Sequence, residues 1–183
     1  MLFSSISFLY YFLPLTVGLY FAAPGRFKNT VLLLASLVFY GWGEPKYVLL
    51  MSLSVLLGYG FGLLVEKYRQ KSAGRILCVA SVGVSISFLL YFKYADFFIE
   101  NFNAVTGMGV LPLRLALPIG ISFYTFQIVS YTVDVYRGEA AQKNPVHLAV
   151  YIAMFPQLIA GPIVRYHDIA GQLEARAHSL SGA

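Results

Sequence analysis

Polar side chains recur at helical spacing along one apolar stretch in the second half of the sequence. At 3.6 residues per turn, one narrow arc of a helix would carry Gly120, Tyr124, Gln127, Tyr131 and Asp134. An unsatisfied amide or hydroxyl in hydrocarbon costs several kcal/mol, so this arc must face protein or water. Two interpretations stay open. The arc is either a seam of interhelical hydrogen bonds or one wall of a path for a polar substrate.

The next apolar stretch combines an amide side chain with residues that break helices. Pro156 precedes Gln157, and Gly161-Pro162 follows within a few positions. Proline removes a backbone donor, and Gly-Pro ends or kinks a helix. Broken helices at membrane depth line cavities, because the freed carbonyls need partners. The pattern therefore predicts that Gln157 points into a cavity and that Arg165 caps the outer end of the helix or meets an anionic group.

The titratable residues form no recognisable catalytic set. Asp134 lies three positions before Arg137, which favours a structural ion pair on one helix face. The histidines, which we assign to interfaces or surfaces, are His147, His167 and His178. No Ser-His-Asp arrangement, metal-ligand cluster or phosphate loop is evident in the sequence. We therefore name no catalytic residue and expect neither a metal nor a bound cofactor.

Composition places these stretches in a membrane protein. Of the 183 residues, 58% are hydrophobic and 11% charged, whereas soluble domains carry about 25% charged residues. Apolar runs near the roughly 20 residues that cross a bilayer fall at 5–23, 29–43, 47–65, 75–92, 117–136 and 146–164. We expect an all-α, multi-pass transmembrane bundle of about six spans. The first run lacks a basic leader and a cleavage site, so we interpret it as a retained helix.

The positive charges favour one face of that membrane. The loops after the first, third and fifth runs carry Arg26, Lys28, Lys67, Arg69, Lys71, Arg75, Arg137 and Lys143. The other loops carry Lys46, Lys93 and Arg114. The positive-inside bias then places the N-terminus outside and the basic loops in the cytoplasm, in contact with membrane lipids. We expect no nucleic acid as a partner.

Local patterns divide the chain further. Gly58 and Gly62 provide a small-residue strip for close helix packing. The aromatic and charged stretch from Tyr91 to Asn103 predicts a helix in the interface plane. We assign 1–169 to a transmembrane region and 170–183, which has no apolar run, to a disordered or truncated tail.

Taken in order, the motifs FYGWGEP, LPIGISFYTFQ, SYTVDVYRGE and FPQLIAGPIVRY resemble the membrane-bound O-acyltransferases. The match covers nearly the whole chain, and it is nearest to the bacterial alginate O-acetyltransferase branch. A sister branch that transfers D-alanine toward teichoic acids shares much of the fifth run. The resemblance implies a larger ring of helices around a tunnel in the bacterial inner membrane. An acyl group from a cytoplasmic donor of unspecified identity would pass through it to a periplasmic or extracellular acyltransferase partner or a polysaccharide.

The same resemblance implies an essential histidine within a Trp-His pair beyond the matched motifs. Here Trp42 is followed by Gly43, so no catalytic residue is carried over, and we expect the 183 residues alone to be inactive. The candidates for lining the acyl path are Gln127, Tyr131, Gln157 and Arg165. A transporter or channel module and a non-catalytic membrane scaffold stay open as alternatives, since broken helices and buried amides suit a transporter equally well.

Overall fold

The computed structural model describes residues 5–161 and 164–174, and every regular element in this part of the chain is helical. A short π-helix, Phe8–Phe12, opens it, and 3-10 turns at Gly25–Phe27 and Pro45–Tyr47 precede the second and third α-helices. The α-helices of the described part are α1 (Leu13–Ala22), α2 (Lys28–Gly43), α3 (Val48–Tyr68), α4 (Ser72–Thr106), α5 (Ile121–Arg137), α6 (Pro145–Ala153), α7 (Phe155–Ala160) and α8 (Tyr166–Glu174). The expectation of an all-α fold is confirmed.

Helices α3 and α5 pack in parallel at the centre of the bundle. A Cβ on Gly58 would lie 3.0 Å from the Ile128 side chain, and a Cβ on Gly62 would lie 2.4 Å from the hydroxyl of Tyr131. A step towards the C-terminus on α3, from Gly58 to Gly62, is matched by a step towards the C-terminus on α5, from Ile128 to Tyr131. The two helices therefore run in the same direction. The small-residue strip predicted on α3 is thus the surface against which α5 packs.

The loops of the bundle gather at two ends. At one end, Arg69, just after α3, donates a hydrogen bond of 2.8 Å to the carbonyl of Gly138, just after α5. At the other, Tyr47, just before α3, donates one of 2.7 Å to the carbonyl of Ala116 ahead of α5. We call the first the basic end; its cations are Lys67, Arg69, Lys71, Arg75, Arg137 and Lys143. Two of the three loops predicted to share a side of the membrane, those after the third and fifth runs, therefore share an end of the molecule.

Helix α4 lies antiparallel to α5 and is longer than expected. The hydroxyls of Ser81 and Thr132 meet at 3.1 Å between the two helices. We expected a span at 75–92 and a separate interfacial helix from Tyr91, but α4 continues to Thr106 without a break. The separate helix was wrong because no glycine or proline lies between Tyr91 and Gly107, whose φ of +70° ends α4.

The sixth apolar run is not one crossing helix. Met154, with ψ at 117°, separates α6 from α7. Helix α6 begins at the basic end. Helix α8 lies at the same end, where the ring of Tyr166 packs edge-on against that of Tyr131 with centroids 4.8 Å apart. Next to it, Nδ1 of His167 is 2.8 Å from Oε1 of Glu139. The chain therefore enters from the basic end and returns to it.

Helix α7, where the chain turns back towards the basic end, lies beside the start of α5. A Cβ on Gly120 would meet the Leu158 side chain of α7 at 2.8 Å. On the way back, Val164 accepts a hydrogen bond of 2.9 Å from the hydroxyl of Tyr151. Arg165 therefore lies at the basic end, and its expected position at the outer end was wrong, because hydropathy shows that a run is apolar but not that it crosses.

The described residues include two helical stretches long and apolar enough to cross a membrane, Pro45–Tyr68 and Ser72–Thr106. Helices α2 and α5 have 16 and 17 residues, somewhat fewer than the roughly 20 that cross a bilayer at full thickness. These two stretches agree with the membrane protein that the composition predicts. The expected boundary between 169 and 170 falls inside α8, and the rest of the predicted tail, including His178, lies outside the described residues.

Candidate functional site

Several buried polar atoms have no hydrogen-bond partner among residues 5–161 and 164–174. They are Oη of Tyr40, Oη of Tyr124, Oε1 of Gln127, Oδ2 of Asp134, Nδ1 of His147 and Nε2 of Gln157. In folded proteins about 90% or more of buried polar groups are paired, and leaving one unpaired costs about 1–3 kcal/mol. These atoms therefore mark the places where a water molecule, a substrate or another polypeptide segment is needed.

The arc of α5 supplies two of these atoms. Tyr124 and Gln127 are each only 1% exposed, so the arc faces the interior as the periodicity predicted. A seam of interhelical hydrogen bonds would satisfy both side chains, yet the Tyr124 hydroxyl and the Gln127 carbonyl oxygen lack partners. At these two positions the described helices do not form the seam.

Helix α2 contacts the break between α6 and α7. The hydroxyl of Ser36 accepts a hydrogen bond of 3.3 Å from the backbone N–H of Phe155, the first residue of α7. Tyr40 lies one helical turn beyond Ser36 on the same face of α2. Gln157 follows Phe155 by two residues, and Gly120, one turn before Tyr124 on α5, approaches Leu158 of α7. From this placement we infer that the unpaired groups of α2, α5 and α7 face the broken segment.

The chemistry available at this convergence is neutral hydrogen bonding. Tyrosine hydroxyls donate and accept, and the two amides present an unpaired oxygen and an unpaired nitrogen. Such groups can hold a carbonyl or a hydroxyl without neutralising a charge. Such groups make the site suited to binding and guiding a polar group.

Tyr131 belongs to a different environment. Its hydroxyl accepts a hydrogen bond of 3.2 Å from the backbone N–H of Gln142, and its ring packs against Tyr166 and Gly62. The Gln142 side chain in turn lies 3.5 Å from the hydroxyl of Tyr166. Although it shares the arc with Gln127, Tyr131 is fully packed and paired, and it ties α5 to α8.

The loop after α5 is held by the end of α3, an arrangement that sequence spacing did not reveal. Glu66 accepts a hydrogen bond of 3.0 Å from the backbone N–H of Ala141 and forms an ion pair with Lys143. Arg69 donates to the carbonyls of Gly138 and Glu139 at 2.8 and 3.3 Å. Charge type alone does not pair Glu66 with Lys143, because the two residues are 77 positions apart.

The remaining candidates lie apart from the convergence. Asp134 and Arg137 form no ion pair in the described structure, so that expectation was wrong; the arginine is exposed at the end of α5. Arg165 is exposed just before α8. Within the described ranges, no group of three or more His, Cys, Asp or Glu side chains is placed to hold a metal ion. Cys78 is buried.

Comparison with known proteins identifies relatives across nearly the whole chain. It is 44% identical over 187 aligned residues to "Probable alginate O-acetylase AlgI" of Azotobacter vinelandii, which covers 98% of this chain. The protein of the same name from Pseudomonas aeruginosa is 42% identical over 98% of the chain. A "Peptidoglycan O-acetyltransferase" of Helicobacter pylori is 30% identical over 95% of the chain. The resemblance carried by the motifs is confirmed.

These relatives are much longer than the sequence compared with them. The chain spans 37% of the length of the Azotobacter protein and 39% of that of the Helicobacter protein. No protein-family model matches the chain. No solved structure matches it either.

Proposed function

We propose that this chain, a relative of the alginate O-acetylases over 98% of its length, forms part of a membrane-bound O-acyltransferase that moves acetyl groups across the bacterial inner membrane. The acceptor is an exported polysaccharide such as alginate, reached directly or through a periplasmic acyltransferase partner. The Azotobacter and Pseudomonas relatives are named as probable alginate O-acetylases, which supports this acceptor. The Helicobacter relative favours peptidoglycan as a second candidate acceptor, at lower identity.

The observation that carries the proposal is the convergence of unpaired neutral groups at the α6–α7 break. Gln127 and Gln157, together with Tyr40 and Tyr124, form one wall of the acyl path. An acetyl ester or thioester is neutral and presents a carbonyl acceptor, which the tyrosine hydroxyls and the Gln157 amide nitrogen can bind. Tyr131 supports this wall from the basic side through its contacts with Tyr166 and Gly62.

The charge distribution orients the path. The basic end faces the cytoplasm under the positive-inside bias, the chain crosses the membrane several times, and the N-terminus lies on the periplasmic side. Arg165 is exposed at that basic end. It is therefore placed to meet an anionic group of the acyl donor as the donor arrives from the cytoplasm.

The test is restoration of polysaccharide acetylation in cells that lack this protein. Cells that receive the wild-type protein should export polymer with its normal O-acetyl content, measured by NMR. The double variant Gln127→Leu/Gln157→Leu should reduce that content at least tenfold at unchanged protein level. As a matched control, Leu49→Ala alters an exposed position on α3 and should restore acetylation fully. Normal acetylation by the double variant would overturn the proposed path, and solute flux without acetyl transfer would support a transporter instead.

A further inference from the structure

An apolar groove of about 250 Å³ lies between α2, α3 and α6. Each of the three helices contributes to it, with Leu33 and Leu37 from α2, Val55 and Tyr59 from α3, and Val146 and Ala149 from α6. At its rim, Leu56 is 61% exposed, so the groove opens to the outside of the bundle. The surrounding helices leave space here that their own side chains do not fill.

The lining selects a hydrocarbon occupant. Of the side chains around the groove, those of Ser52 and Tyr59 carry polar atoms. The Tyr59 hydroxyl already donates a hydrogen bond of 2.8 Å to the carbonyl of Lys143. A polar ligand would lose its hydrogen bonds to water on entering such a groove, whereas an alkyl chain would lose none.

The position of the groove selects one leaflet of the membrane. Along α3 it runs from Met51 to Tyr59, about 12 Å at 1.5 Å per residue. That is close to half of the roughly 30 Å hydrocarbon thickness of a bilayer. Its Tyr59 end lies at the basic end, since Tyr59 is bonded to the α5–α6 loop there.

Two cations lie at the same end of the bundle as the Tyr59 end of the groove. The Lys143 side chain is 67% exposed although it is paired with Glu66, and Lys67 is exposed on the last turns of α3. A lipid whose alkyl chain fills the groove would place its headgroup among them. Charge complementarity then favours an anionic headgroup over a zwitterionic one.

We propose that this groove is a specific site for one acyl chain of an anionic phospholipid of the leaflet at the basic end. The occupied groove joins α2, α3 and α6 on the lipid-facing side. This site requires no acyl transfer by the protein, so it stands or falls separately from the proposed function.

Photocrosslinking of the full protein in mixed-lipid vesicles tests the site. The probe is phosphatidylglycerol with a diazirine in its acyl chain, and crosslinked residues are mapped by mass spectrometry. We expect saturable labelling of α3 and α6 residues of the groove, approaching one lipid per protein. Unlabelled phosphatidylglycerol should compete at a concentration at least tenfold lower than phosphatidylcholine.

Two variants sharpen the result. Ala149→Phe fills the groove and should reduce groove labelling at least tenfold, whereas Leu49→Phe on the outward surface of α3, where Leu49 is 79% exposed, should leave it unchanged. The proposal is overturned if labelling rises linearly with lipid, or if the two headgroups compete equally. It is also overturned if the groove residues crosslink to a second protein in place of lipid. The headgroup comparison uses the wild-type protein, so it decides the question even if Ala149→Phe misfolds.

Discussion

Gly62 on α3 and Tyr131 on α5 share one packing position, in which the tyrosine hydroxyl occupies the space that a side chain at residue 62 would need. A Cβ there would lie 2.4 Å from that oxygen. Tyr131 cannot easily withdraw, because its ring packs on Tyr166 and its hydroxyl accepts a hydrogen bond from Gln142. The contact therefore couples the central helix pair to α8.

Gly62→Ala should destabilise the protein by about 1–3 kcal/mol, because the added methyl group forces Tyr131 from its packed position. Gly60→Ala is the matched control on the same helix, since nothing lies within 4 Å of its Cβ position. Alanine should leave stability unchanged there or raise it slightly through helix propensity. Thermal unfolding in detergent measures both variants, and equal midpoints would contradict the packing described.

Gln127→Leu should raise stability by about 1 kcal/mol while lowering acetyl transfer, because it removes a buried oxygen that no described residue satisfies. Thr132→Val, five residues further along α5, should instead lower stability. It removes the hydroxyl that meets Ser81 at 3.1 Å, and so leaves a buried partner unpaired. Unfolding midpoints and acetyl content of the polymer should therefore change in opposite directions for Gln127→Leu. A loss of stability in that variant would show that the amide is a structural contact.

Glu66→Leu should open the α5–α6 loop, because it removes both the acceptor for the Ala141 N–H and the partner of Lys143. Glu66→Gln retains an acceptor oxygen and loses only the charge. Since partly exposed ion pairs contribute roughly 0–1 kcal/mol, the glutamine variant should be the milder one. Hydrogen exchange of residues 138–144 should quicken strongly in Glu66→Leu and slightly in Glu66→Gln. The same exchange rate in the two variants would contradict this account.

Cysteines at Lys143 and His167 should label from the same side of the membrane, and a cysteine at Lys46 from the opposite side. Both of the first two side chains are well exposed, at 67% and 66%. The contact between His167 and Glu139 is one of those that place α8 at the basic end. An impermeant maleimide applied to intact cells and to inverted vesicles measures sidedness. Labelling of His167→Cys together with Lys46→Cys would mean that the sixth run crosses the membrane.

The sequence predicted the buried arc of α5 correctly, because helical periodicity directly records which face must avoid lipid. It also predicted the break near Pro156, although the break lies at Met154, with proline inside the first turn of α7. Such features are local, and they depend on residue type and spacing alone.

The direction of the sixth run and the partners of the loop after α5 could not be predicted in that way. Hydropathy gives the same signal for a run that crosses and for one that turns back. The contact between Glu66 and Lys143 joins residues 77 positions apart, and many other acid–base pairings were equally compatible with the sequence. Tyr40 was missed as well, although its spacing of four from Ser36 places both polar groups on one face of α2.

The central claim is that Gln127 borders a wetted interior path, and thiol reactivity measures this most directly. In a protein whose other cysteines, including Cys78, are replaced by alanine, Gln127→Cys should react with a small water-soluble thiosulfonate at least tenfold faster than Thr132→Cys. Both positions are at most 1% exposed in the described helices, but only Gln127 has an unpaired polar atom. Equal, slow reaction at the two positions would mean that the arc is dry packing, and the proposed acyl path would have no structural support.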